Sequence, residues 1–249
     1  MLVAAVDTST LTLSCALLEL GPGGPEVLSS RSERPAGAGA GHSSRLPSLL
    51  VELLDPIGST VRDVGGFAVG LGPGSFTGLR IGLATWKGLA YANRRPIAGA
   101  SSLAAMAFEA FATSRRDALL VPLLDAKKGE VYAGFYRRSG GGGGILEARP
   151  PAALAPGALL EVLAGLGGAA LGFGEGYAAF REALAGGLPE IPGGPSTPSA
   201  EAVGRLAASR LGAYDEPALF ALEPHYVRPS EAEVKFPKGF VSGPVLRER

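Results

Sequence analysis

A strand, an acidic tip and a returning strand occur twice in this chain, and the duplication limits its possible folds more than any other feature. In VAAVDTSTLTLSCALL, residues 3–18, two apolar strand-length runs flank Asp7, Thr8, Ser9 and Thr10. In LLVPLLDAKKGEVYAGFY, residues 119–136, an apolar run ends on Asp125, and the chain returns from Glu130 to Tyr136 through β-branched and aromatic residues. Short polar side chains at a tip between apolar runs predict a β-hairpin in each case.

Helical segments follow each hairpin. Residues 21–41 are rich in Gly, Pro and Ser and are expected to form a loop ending on Ser43 or Ser44 as a helix N-cap. Leu46, Leu49, Leu50, Leu53 and Leu54 then fall at helical spacing, with Pro47 tolerable in the first turn. Phe67 to Leu71 is a short strand, 102–115 a helix, and 118–124 a strand. The glycine run at 139–144 is expected to be a flexible loop tip. Helices are expected at 156–166, 177–185 and 200–211, a strand near 169–173, and a surface tail after Pro224. The expected fold class is α/β, in two similar lobes that resemble the ribonuclease H-like architecture of actin, Hsp70 and sugar kinases. The N-terminal lobe is expected over residues 1–110 and the C-terminal lobe over 111–249, with the tail packing back on the first. Fold alone names no activity.

The segment GLGPGSFTGLRIGLATWKGLA, residues 70–90, carries a glycine-rich entry that a phosphate-binding loop would also carry. It lacks the Lys of G-x-x-x-x-G-K-[ST], because Leu79 and Arg80 follow Gly78, and it fails G-x-G-x-x-G, because position 77 is Thr. A helix start still attracts anions, but close packing is the better reading. From Phe76 to Tyr91 the strongly polar side chains are Arg80 and Lys87, so the helix is apolar nearly all round and needs cover on more than one side. Gly78, Gly82 and Gly88 remove bulk where another backbone approaches. One side meets the lobe's own sheet; the other, with the leucine helix, meets either a second chain or the rest of this one.

The catalytic inventory is thin. His42 and His225 stand alone, with no neighbouring metal-ligand pair. Ser75 is not in a G-x-S-x-G elbow and is expected to cap the helix. Asp7 and Asp125 either hold a magnesium ion and a nucleotide between the lobes or cap their hairpin tips. With 23 basic and 23 acidic residues the net charge is zero, so no global field draws the chain to nucleic acid. Cys15, the single cysteine, lies in an apolar run and is expected to be a buried thiol in a reducing compartment. The N-terminus shows no basic leader, and the expected location is the cytoplasm, with no membrane partner.

At DTST, HSSRL and above all GLGPGSFTGLRIGLATWKGLA the chain resembles the TsaB, or YeaZ, family, which serves the making of threonylcarbamoyladenosine in tRNA. The likeness extends through PIAGASSL and DAKKGEVYAGFY to EPHYVRP. The resemblance implies a non-catalytic subunit that binds and activates its paralogue TsaD as a heterodimer. It implies a larger assembly with the ATPase TsaE, a homodimer when alone, and contact with tRNA only through the complex. The family's pairing surface lies on the two N-terminal helices, so Leu46, Leu49, Leu50, Leu53, Gly78, Leu79, Gly82, Leu83 and Trp86 are the expected partner-binding residues. Ser102 and Met106 stand where TsaD carries two metal-binding histidines, and Asp125 to Gly129 replace its Ser-Gly-Gly-His-Thr. No catalytic, cofactor-binding or metal-binding residue is therefore assigned. The alternative is an ATP-dependent transferase or a peptidase-like enzyme of the same fold.

Overall fold

The computed structural model describes residues 1–34, 42–111, 114, 118–139 and 144–228. Its first half runs β1 (Leu2–Asp7), β2 (Leu13–Gly21), β3 (Gly24–Glu33), α1 (His42–Leu54), β4 (Gly66–Gly70), α2 (Phe76–Asn93), β5 (Ile97–Ala100) and α3 (Ser102–Ala110). The second half runs β6 (Leu119–Lys127), β7 (Glu130–Arg138), β8 (Ile145–Leu154), α4 (Pro156–Leu166), β9 (Ala170–Phe173), α5 (Glu175–Ala179), α6 (Arg181–Leu184), α7 (Ala200–Ala207) and α8 (Glu216–Ala221).

The described strands form two sheets of one topology. The first has the order β3-β2-β1-β4-β5, and the second β8-β7-β6-β9. In each, a hairpin (β1 with β2, β6 with β7) is extended antiparallel on one side, and the central strand pairs parallel with a later strand on the other. The duplication legible in the two acidic tips is thus a duplication of a whole ribonuclease H-like lobe. No helix among the described residues is long and apolar enough to cross a membrane.

Alternation along β1 sends Ala4 and Val6 to one face and Val3 and Ala5 to the other, and both faces are covered. On the first face the leucines of α1 and Trp86 of α2 pack over Phe67 and Val69. On the second, the alanines of α7 lie close, since a Cβ at Gly204 would stand 2.5 Å from a methyl of Leu18. The α3 helix sits between the lobes, placing Leu103, Met106 and Phe111 against Leu120, Leu124 and Tyr136 of the second sheet.

Two segments expected to be loops are strands. β3 lies inside residues 21–41 and pairs with β2 from Leu13↔Glu33 to Gly21↔Gly24; β8 pairs with β7. Both are edge strands without one fully buried side chain: β3 is mostly polar, and β8 is mostly apolar but only partly covered, with Ile145 and Leu154 at its ends touching the cores. Pro150 and Pro151 are tolerated in β8 because one of its sides has no neighbour in the sheet. The middle of the glycine run, 140–143, lies outside the described residues, while Ser139 N donates to Gly144 O at 2.9 Å at its ends. The α1 helix already begins at His42, so Ser43 and Ser44 fall inside its first turn rather than before it. The six-residue α8, absent from the sequence expectation, carries the buried Leu219 into the first core.

Candidate functional site

The first acidic tip is sealed. Asp7 closes β1 and is 1% exposed. Its Oδ1 accepts from Ser9 N at 2.8 Å and Ser9 Oγ at 2.6 Å, and its Oδ2 accepts from Ser102 Oγ at 2.6 Å. Ser102 in turn accepts from Gly72 N at 3.1 Å. A Cβ on Gly70 would stand 2.0 Å from Asp7 Oδ2, so only glycine fits there. Met106, 0% exposed, fills the space one helical turn beyond Ser102. The two positions that the resemblance aligns with metal-binding histidines therefore hold, in this chain, a clamp on Asp7 and a core plug. Among the described residues no three His, Cys, Asp or Glu side chains come together as a metal-binding group.

The glycines of residues 70–90 let α2 press against this tip. Cβ atoms at Gly74 and Gly78 would stand 2.1 Å from the carbonyls of Ser9 and Thr8, and one at Gly82 would stand 2.2 Å from Thr8 Oγ1. Ser75 caps the helix, accepting from Gly78 N at 3.2 Å. Gly88 differs: a side chain there would meet nothing within 4 Å.

The nine expected partner-binding residues are placed inside this chain. Leu46, Leu49, Leu50 and Leu53 of α1 are at most 7% exposed, as are Leu79, Leu83 and Trp86 of α2, and Gly78 and Gly82 are buried as well. Trp86 donates its indole N–H to Ala4 O at 2.9 Å and meets Phe67 edge-on. In the isolated chain these residues are buried in the packing of α1 and α2 against their own lobe. Of the two kinds of cover left open for α2, this chain supplies one on the inner side, through α1, β1 and β4. The same helices turn other residues outward: Pro47, Ser48 and Val51 on α1, and Thr77, Ala84, Gly88 and Tyr91 on α2. The α2 set lies at spacings of seven, four and three, a single stripe of mostly small residues.

Between the lobes lies a cleft of about 1110 Å³. Its floor is Ser9, Thr10 and the Pro73–Phe76 entry of α2, its far wall Asp125–Lys128, Tyr132 and Glu175, and its edge His225–Arg228. Lys127, Lys128 and Gly129 all adopt positive φ (62°, 56° and 82°) in the tight turn between β6 and β7. Partial burial works to raise the Asp125 carboxyl, but the side chain and amide of Lys127, at 2.5 and 2.8 Å, together hold it below its ordinary value. Burial first, then the charge of Asp125, pushes Glu175 up.

Residues 225–228 tie the lobes together. His225 N donates to Leu71 O at 2.8 Å, and Tyr226 packs on Phe76 with centroids 5.0 Å apart while accepting from Arg80 Nε at 3.0 Å. Arg228 crosses to the second lobe, donating to Glu130 Oε2 at 2.9 Å and to Ala126 O at 3.0 Å. His42, the other isolated histidine, has a side chain outside the described set. Sequence reading missed the clamp on Asp7, whose one visible sign is a serine, Ser102, at the start of a helix following a strand.

Known proteins resemble this chain in sequence and fold. The family model described as "TsaD: tRNA N6-adenosine threonylcarbamoyltransferase" matches residues 30–165. The tRNA threonylcarbamoyladenosine biosynthesis protein TsaB of Escherichia coli K12 is 30% identical over 238 residues, covering 95% of this chain and 99% of that one. The TsaB protein of Bacillus subtilis 168 is 34% identical over 142 residues, and that match spans 57% of either chain. Two solved structures from Pseudomonas aeruginosa, YeaZ and a protein described by its similarity to peptidase YeaZ, superpose with TM-scores of 0.69 and 0.72. Each is 29% identical and is covered to 99% of its length.

Proposed function

The chain belongs to the TsaB (YeaZ) family of tRNA threonylcarbamoyladenosine biosynthesis proteins, and from that premise we propose that it is the non-catalytic subunit that binds and activates the paralogue TsaD. The observation that carries this reading is the closure of Asp7. Its carboxyl group is enclosed by Ser9 and Ser102, with Met106 packed beyond, so the first acidic tip presents no open carboxyl group to a substrate.

The pairing surface in this reading is the outward face of α1 and α2, with Val51, Ala84 and Gly88 at its centre. The nine buried residues beneath form its rigid support. A stripe of small side chains lets a partner helix approach closely, and a firmly packed base spares the partner the cost of ordering it. Residues 1–110 form most of the lobe that presents this face; α7 and Leu219 of α8, from the chain's second half, complete its packing. Alone, the face pairs with a second copy; in the cell, taken to be the cytoplasm, it pairs with TsaD, TsaE joins the larger assembly, and tRNA is met through the complex.

Reconstitution tests the reading. TsaD with its other partners is expected to modify tRNA only when this chain is added, and this chain alone is expected to give no transfer. Modification at full rate without it overturns the proposal.

A further inference from the structure

Residues 214–226 run beside α2 in the opposite direction. Phe220 lies against Tyr91 with ring centroids 5.6 Å apart, and its carbonyl accepts from Lys87 Nζ at 2.9 Å. Tyr226 lies against Phe76 at 5.0 Å and accepts from Arg80 Nε at 3.0 Å. Leu219 is buried in the first core, and Leu222 packs against it. The two ring pairs comprise every exposed aromatic side chain among the described residues, at 36% exposure for Phe76, 43% for Tyr226, 49% for Tyr91 and 60% for Phe220. Exposed aromatic clusters of this kind mark protein interfaces.

The two rows carry opposite charge. On α2, Arg80 and Lys87, and then Arg94 just past its end, recur every seven residues along one flank, a line of about 21 Å. No Asp or Glu occurs from 76 to 94. Beside them the charged side chains of 214–226 are Asp215, which caps α8, Glu216 and Glu223, all exposed, and no Lys or Arg occurs there. Arg94 and Glu216 stand at the same end, both close enough to Tyr214 to act on its hydroxyl. Glu223 falls midway between Phe220, beside Lys87, and Tyr226, beside Arg80. No ion pair among the described residues joins the rows within one chain.

A surface whose two halves are opposite in charge and alike in aromatic content is complementary to itself. We propose that a second copy of this chain docks here about a two-fold axis lying between the rows, so that the cations of α2 in each copy meet the carboxylates of 214–226 in the other. Arg94 and Glu216 then pair across the axis, as do Glu223 and the stretch from Arg80 to Lys87, and the aromatic side chains close together between them. This arrangement rests on the reading that the outward side of α2 pairs, and it adds the chain's second half to that surface.

Sedimentation velocity of the full chain, run over a range of concentration and salt, reads the pairing. A dimer is expected that weakens as salt rises. Lys87→Glu/Arg94→Glu and Glu216→Lys/Glu223→Lys each set like charge against like, and each is expected to weaken the dimer roughly tenfold or more with the thermal midpoint near the parent's. An equimolar mixture of the two is expected to dimerise like the parent, because each reversed row then faces its opposite; the recovered dimer also shows that both variants are folded. Reversed variants that dimerise like the parent, or a mixture that stays monomeric, overturn the proposal. So does a monomeric parent, and loss of TsaD binding in the reversed variants would then give the rows to TsaD instead. If Ala84→Arg dissociates the dimer while both reversals leave it intact, α2 pairs without residues 214–226, and this arrangement falls while the outward-face reading stands.

Discussion

Ser102 Oγ donates a 2.6 Å hydrogen bond to Asp7 Oδ2, joining the first turn of α3 to the end of β1 in a space that excludes water. Removing one partner of a buried hydrogen bond costs about 1–3 kcal/mol. Ser102→Ala is expected to lower unfolding stability by that amount. Chemical denaturation measures it, and an unchanged midpoint would show that Asp7 does not depend on this hydroxyl.

Gly82→Ala places a methyl 2.2 Å from Thr8 Oγ1. Overpacking of this kind costs about 1–3 kcal/mol. Thr8 Oγ1 is buried without a partner among the described residues, so Thr8→Ala alone loses no hydrogen bond that they provide. The double variant Thr8→Ala/Gly82→Ala is expected to recover most of the loss. A double-mutant cycle reading purely additive costs would place the strain elsewhere.

Burial pushes the Cys15 thiol up to about 12, with the backbone at Ala16 working weakly against it. Because the folded value lies above the unfolded one, the contribution to stability is complete below the ordinary thiol range, near 9, and is lost as pH rises from there toward 12. Alkylation at pH 8 is expected to proceed only at the rate of unfolding, whereas the denatured chain reacts at once. Rapid stoichiometric labelling of the native protein would contradict the enclosed thiol.

Most elements that bury apolar surface were legible in the sequence, the short β5 and α8 excepted. The two hairpins announced themselves by apolar runs turning on Asp7 and Asp125, and α4 by Pro156 at its first position and Gly167 just past its end. The edge strands β3 and β8 were not, because neighbouring backbone rather than hydrophobic pattern fixes them; the Gly, Pro and Ser of β3 and the Pro150–Pro151 pair of β8 imitate a loop. The direction of α2 was misread for a related reason. Thr77, Ala84 and Gly88 are small enough to pass as apolar, so the helix looked greasy all round when only its inner side needed cover. The basic lining of the cleft was not legible, because Arg34, Arg80 and Lys128 are far apart in sequence and come to it only through the fold.

The most direct test of the account compares the two sides of the same helix. Ala84→Arg places a long charged side chain on the outward stripe of α2, whereas Leu83→Ala hollows the inner side, which is 6% exposed. With purified TsaD as ligand, affinity and thermal midpoint are measured on both variants. The account predicts that Ala84→Arg keeps the parent's midpoint and loses binding by roughly a hundredfold or more, while Leu83→Ala loses about 2–5 kcal/mol of stability and, where folded, still binds. An Ala84→Arg protein that is fully folded and binds TsaD as tightly as the parent would contradict it.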